Sequence, residues 1–368
     1  VFARLLRLLG LVFIVMILAL RAEAADWDRG VALYNKGAYR TALAEFEDIV
    51  LARPDAAGAW YYIGLCEFKL KHYKRVSLPL SHAIDLLEIQ SPESPDIAPA
   101  WYTIGMSHFL LDEYAEAVDP LKQYIELTTS AKLPVDASAA AALGRAYFQL
   151  ERYDEALVTL GAASRQPGGA SAENARDAYI VGLIYFKRED DDRAIPVLRE
   201  AANGAAGDDA ATLELLAESL MRKARKTNAP SLWVEAAANA ERLKTLRDDL
   251  RTAGILGQAY MGARRFDKAV VPFEALAKAE PENGQAWLYY GIALSRSGQM
   301  RKAMEALEIT IRIDPGSSPA LLELAYVYES DKQYQQALRI YEKAYAASND
   351  PAIRKSIERV KALAAQQP

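Results

Sequence analysis

The sequence predicts an all-α protein, an α-solenoid of about nine helix–turn–helix repeats. Three observations predict it. A glycine is followed twelve residues later by an alanine at Gly30/Ala42, Gly105/Ala117, Gly144/Ala156, Gly182/Ala194, Gly257/Ala269 and Gly291/Ala303. The marker recurs with a period of 34, from Gly30 to Gly64, Gly257 to Gly291 and Gly291 to Ala325. Each unit also places large residues at fixed offsets. An aromatic stands three before the alanine position (Tyr39, Tyr73, Tyr114, Tyr153, Phe266, Tyr334). A bulky apolar residue stands four after it (Phe46, Leu80, Leu121, Leu160, Leu198, Phe273, Leu307, Tyr341). Such a period marks stacked units, each unable to bury its apolar face alone.

Composition narrows the function before any site is considered. The 368 residues are 51% hydrophobic and 25% charged, which opposes a disordered chain. The net charge of -5 opposes a nucleic-acid partner. One Cys and three His are too few for a disulfide framework, a thiolate zinc site or an iron–sulfur cluster.

Residues 1–24 read as an export segment. Arg4 and Arg7 precede the uninterrupted apolar run Leu8–Leu20, and Ala22 and Ala24 offer small residues two apart for cleavage. Thirteen apolar residues are short for a membrane span, although Leu5 and Leu6 lengthen the run. The expected location is periplasmic or secreted, or inner-membrane anchored if the segment is retained. Membrane contact is expected only in that second case.

Residues 25–350 then form the array, with units near 26–56, 57–90, 98–129, 137–165, 175–202, 210–245, 250–283, 284–317 and 318–350. In each, a small residue on the first helix (A) and another on the second (B) allow close approach. Pro54, Pro281 and Pro315 close their units, because proline lacks the N–H a helix needs. The interval from Gly182 to Gly257 is 75, two periods and a remainder. A degenerate sixth unit therefore lies between, with helices over 210–226 and 230–245. Longer turns at 91–97, 130–136, 166–172 and 203–208 take up the irregular spacings. Pro351 opens a last amphipathic helix, so 351–368 reads as a capping helix and tail.

No catalytic or metal constellation is recognisable, and no cofactor is expected. The helical zinc motif, the Gly-x-Ser-x-Gly elbow and the phosphate loop are all absent. Cys66 falls in an apolar run and reads as an inert core thiol. Glu189–Asp192 reads as a solvated turn, since it lacks the calcium-loop pattern.

Trp60, Gly64, Tyr73, Leu80 and Ala83 in one unit, and Trp287, Gly291, Ala303, Leu307 and Pro315 in another, resemble the tetratricopeptide repeat family. The resemblance covers about 26–350. It implies a right-handed superhelical solenoid whose A helices line a concave groove. Trp27, Tyr34, Tyr61, Phe68, Lys69, Tyr102, Phe109, Arg145, Phe148, Tyr179, Phe186 and Lys187 would then face that groove. An aromatic recurs one turn after the glycine position in the first five units: Tyr34, Phe68, Phe109, Phe148 and Phe186. These rings either pack between neighbouring A helices or present a ladder of apolar platforms for a peptide or an amphipathic helix.

The expected function is a non-catalytic scaffold or adaptor of the bacterial cell envelope, binding a protein or peptide partner. The alternative is a carbohydrate-binding accessory of polysaccharide export or assembly, in which aromatic faces stack on sugars.

Overall fold

A computed structural model describes residues 27–163, 172–204 and 209–366. The export segment predicted over 1–24 lies outside them, as do parts of the turns at 166–172 and 203–208. Among the described residues there are nineteen α-helices and no strand. The chain divides into two compact units, Val1–Gly169 and Ala170–Pro368.

The first unit holds four helix pairs: α1 (Trp27–Asn35) with α2 (Tyr39–Ala52), α3 (Ala57–Lys69) with α4 (Ser77–Gln90), α5 (Ile97–Leu110) with α6 (Tyr114–Ser130), and α7 (Ala137–Gln149) with α8 (Tyr153–Ala163). A single 3-10 turn, Tyr73–Arg75, leads into α4. The second unit holds five: α9 (Ala172–Lys187) with α10 (Asp191–Asn203), α11 (Ala210–Thr227) with α12 (Pro230–Leu246), α13 (Leu250–Gly262) with α14 (Phe266–Ala279), α15 (Gly284–Arg296) with α16 (Met300–Ile313), and α17 (Ser318–Ser330) with α18 (Tyr334–Ser348). The last helix, α19 (Pro351–Ala365), packs on α18.

The marker glycines explain why seven of the nine pairs close. A Cβ built on Gly144 would stand 2.5 Å from the Leu160 side chain, and one on Gly182 would stand 2.4 Å from Leu198. The same collision recurs between Gly64 and Leu80, Gly105 and Leu121, Gly257 and Phe273, and Gly291 and Leu307. Each bulky residue sixteen positions on from its glycine is at most 1% exposed. The glycine is therefore a notch filled by the partner helix, and the filled notch is the centre of each repeat's core.

The A–B turn is equally repetitive. Lys71, Asp112, Glu151, Arg264 and Lys332 all take left-handed backbone (φ 56° to 62° across this set with Glu189), two residues before helix B or its lead-in turn. Gly37 and Gly298 fill the same place without the steric cost of a Cβ. Between repeats, the Trp60 indole N–H donates to the Pro54 carbonyl at 2.8 Å, and Trp287 does the same to Pro281 at 3.0 Å. Proline that closes one repeat thus leaves a carbonyl that anchors the next A helix.

Within each unit, A helices also touch A helices. In the first unit α3 meets α5 and α5 meets α7; in the second, α9 meets α11, α11 meets α13, and α15 meets α17. Comparable contact between successive B helices is not found among the described residues. The A helices therefore form the tighter wall of each array.

Candidate functional site

The A-helix wall is where the sequence places its candidate residues. In the first unit Trp27 is 39% exposed, its ring edge-on to Phe46 and Tyr62. Tyr34 is half-buried between Tyr39 and Tyr62, with centroids 5.4 and 5.2 Å away. Burial pushes its phenol up to about 12. Tyr61 is only 8% exposed and belongs to the core with Leu80 and Ile84. Tyr102 is half-buried on Tyr124, its hydroxyl 3.0 Å from Ser138 Oγ on the next A helix. Arg145 is half-buried, and Lys69 and Lys187 are exposed.

The recurring aromatic has a structural partner in its own repeat. Phe68 meets Tyr73 at 5.6 Å, Phe109 meets Tyr114 at 5.9 Å, and Phe148 meets Tyr153 at 6.0 Å, as Tyr34 meets Tyr39. The two rings are five residues apart, one ending helix A and one at the start of helix B or its lead-in. They pack across the turn, which covers part of each of these four rings. Phe68, Phe109, Phe148 and Phe186 are all half-buried.

In the second unit the wall forms a groove of about 340 Å³. Tyr179, Leu183 and Phe186 of α9 supply one apolar side; Ala211, Glu214, Leu215 and Glu218 of α11 form the other, with Arg247 and Arg251 beyond. Glu214 pairs with both Arg247 and Arg251, and Glu218 lies 3.5 Å from Arg251. Burial raises the Glu218 pKa, against the lowering effect of Arg251. The groove joins an apolar strip to a row of both charges. It suits a segment with apolar anchors flanked by polar groups.

Phe186 is fixed from behind. The Arg222 guanidinium lies over its ring, 4.1 Å from the centroid, and donates to its backbone carbonyl at 3.1 Å. The same guanidinium pairs with Asp191 at 2.6 Å. Asp191 is 5% exposed, and Lys223 and Lys226 pair with Asp192 and Glu189 at 2.7 and 3.7 Å. Of the acidic run expected as a solvated turn, Glu189 and Asp192 are indeed 73% and 84% exposed, whereas Asp191 turns into a buried ion pair with α11. A basic run one period downstream was its only sequence signal.

A second groove of about 340 Å³ was not legible. It is lined by Arg225, Trp233, Gln258, Met261, Gly262, Phe273 and Tyr289. A Cβ on Gly262 would stand 2.0 Å from the Trp233 ring, so that glycine admits the indole. Trp233 sits on α12 of the degenerate repeat, where no marker residue pointed to it. Further on, positions that held rings turn inward to polar partners: Ser295 donates to Glu323 at 2.7 Å, and Glu329 accepts from Tyr341 at 3.0 Å and pairs with Arg359 at 2.8 Å.

Among the described residues no group of three or more His, Cys, Asp or Glu is placed to hold a metal ion. None of the described helices is long and apolar enough to cross a membrane.

The family profiles agree with this architecture. One tetratricopeptide-repeat profile matches residues 22–75, 102–172, 141–211 and 256–318, and a second matches 320–355. No curated protein matches the chain. Among solved structures, MamA from Desulfovibrio magneticus RS-1 is 17% identical, covering 48% of this chain and 95% of its own, with a TM-score of 0.42. The P58(IPK) TPR domain is also 17% identical, covering 92% of this chain and 97% of its own, with a TM-score of 0.29.

Proposed function

The chain belongs to the tetratricopeptide repeat family, a scaffold for protein–protein interaction, and from that premise we propose that it is a non-catalytic adaptor of the bacterial cell envelope that binds a partner's peptide segment along its A-helix wall. The observation that carries the peptide reading is the α9–α11 groove. There Tyr179, Leu183 and Phe186 offer apolar anchorage beside Glu214, Glu218, Arg247 and Arg251. The first unit carries half-buried rings of its own on its A helices. A sugar-binding wall calls for several open aromatic faces, whereas the α9–α11 groove sets two rings beside Leu183 and a row of both charges, the mix a peptide segment offers. A peptide is therefore preferred over a polysaccharide.

The envelope location rests on Arg4, Arg7, the Leu8–Leu20 run and the small residues Ala22 and Ala24. Cleavage after Ala24 is the expected processing.

The test is photocrosslinking in the native cell. A crosslinking amino acid at Tyr179 or Phe186 is expected to capture the same protein from both positions. The control is Val158, which is 75% exposed on the B helix α8. Equal capture of that protein from Val158, or no protein adduct from the wall, overturns the groove assignment. Recovery of the protein in the cytoplasmic fraction alone overturns the envelope placement.

A further inference from the structure

Away from the A-helix wall, the turn joining α3 to α4 has an unusual charge. Residues 69–75 read Lys-Leu-Lys-His-Tyr-Lys-Arg, four cations without an acid in a chain of net charge -5. The structure folds them around a pocket of about 390 Å³ lined by Lys71, His72, Tyr73, Lys74, Arg75 and Leu111. We propose that this pocket binds a phosphate group.

Several cations in the array are matched across helices, as Arg222 with Asp191, Arg199 with Glu235 and Arg296 with Glu323. Lys71 and Lys74 form no ion pair among the described residues, and both are exposed. The nearby carboxylates are already engaged. Glu67 is nearly buried and meets His72 Nδ1 at 2.6 Å and Arg75 at 3.8 Å. Asp112 accepts from the Tyr114 hydroxyl at 2.5 Å, and Glu113 meets His108 Nδ1 at 2.7 Å. The pocket thus gathers like charges, and Glu67 relieves their mutual repulsion at His72 and Arg75 but not at Lys71 and Lys74. A multiply charged anion with several acceptor oxygens relieves it, and phosphate offers these to two ammonium groups and a guanidinium fork at once.

Two sources carry that chemistry: a free phosphate and a phospholipid headgroup. Leu78, 82% exposed near the start of α4, and Leu110, 45% exposed, are close in sequence to the lining residues Arg75 and Leu111, and a lipid surface would bury them where a free phosphate would not. This site is independent of the groove proposed above, so either reading can fail without the other.

The experiment uses the chain as processed after Ala24, so that the Leu8–Leu20 run cannot itself bind vesicles, with two probes. One is inorganic phosphate against chloride at matched ionic strength, read from the backbone amide shifts of Lys71–Arg75. The other is co-sedimentation with phosphatidylcholine vesicles, with and without phosphatidylglycerol. The variant is Lys71→Asn/Lys74→Gln/Arg75→Gln, with asparagine chosen because it tolerates the left-handed backbone at 71 (φ 62°). Lys74→Gln alone serves if the triple variant melts early. The charge-matched control is Arg354→Gln/Lys355→Gln/Lys361→Gln on α19, where all three are exposed. Vesicle binding should weaken about fivefold per cation removed from the pocket and hold in the control. Saturable shifts with phosphate alone assign a free phosphate, and vesicle binding assigns a headgroup. No saturable response to either probe, or an equal loss in the α19 control, overturns the proposal.

Discussion

At the residue scale, α13 contains a direct test of the notch. Gly254 and Gly257 lie one turn apart. A Cβ at Gly254 would make an ordinary 3.8 Å contact with Leu276, whereas at Gly257 it would lie 2.8 Å from the Phe273 ring, itself 1% exposed. Gly254→Ala should stabilise by about 0.5–1 kcal/mol through helix propensity. Gly257→Ala gains the same propensity, yet should destabilise by about 1–3 kcal/mol because a buried ring has nowhere to move. Urea unfolding of the two variants checks this; equal effects would show that the glycine is not a packing notch. Cys66 makes a second residue-scale case. It is fully buried, and burial pushes its thiol from the ordinary 9.0 up to about 12. The native protein should not react with a thiol reagent at mild alkaline pH, and should react once unfolded. The stabilisation from holding the thiol neutral is fully present below its unfolded value and is lost as pH rises toward 12. Fast labelling of the folded chain would place Cys66 at the surface.

At the element scale, the seam between α10 and α11 separates buried from exposed ion pairs. Arg222 and Asp191 have side chains 23% and 5% exposed, while Asp192, the partner of Lys223, is 84% exposed. Arg222→Ala strands a buried carboxylate and uncovers the Phe186 ring, and should cost about 3 kcal/mol or more. Lys223→Ala should cost under about 1 kcal/mol. Asp191→Asn should recover part of the Arg222→Ala loss, measured as coupling in a double-mutant cycle. Additive effects would remove the clamp. This seam also shows the limit of the sequence. Helix pairing was legible because Gly-to-bulky spacing is a contact inside one repeat, written in a fixed interval. Even the sixth pair could be read, since the 75 residues from Gly182 to Gly257 leave room for it; in the structure Pro230 opens α12 and Asp209 caps α11 by accepting from Thr212 N at 2.8 Å. Arg222 to Asp191 spans 31 residues and joins two repeats through side chains, so no fixed local interval records it. The wall rings were visible as a periodic row, but their cover by the turn tyrosines depends on the left-handed turn bringing positions five apart together. Pro120, Pro196 and Pro272 sit inside α6, α10 and α14, so proline marks an end here only where the apolar period also stops.

At the scale of the whole molecule, energy in a repeat array is shared between neighbours, and the ends need closure. α19 provides it for the second unit. Ile353, Ile357 and Val360 are buried against the cluster of Leu321, Ala325 and Tyr341, and Arg359 reaches back to Glu329. Three aliphatic side chains buried to this degree contribute roughly 5 kcal/mol or more before the entropy of ordering the helix is subtracted. Deleting 351–368 uncovers Tyr341 and removes the cation beside Glu329, while α9 to α13 keep every neighbour they had. Amide hydrogen exchange should therefore show protection collapsing in α17 and α18 and persisting in α9 to α13. Loss spread evenly through the second unit would mean that it unfolds as one cooperative body, and nearest-neighbour energetics would not describe it. The same locality bears on function. A wall built from separable repeats lets the groove of α9, α11 and α13 keep its shape while the terminal repeats fray. The deletion should leave crosslinking at Tyr179 and Phe186 intact, and its loss would extend the binding surface to the C-terminal repeats.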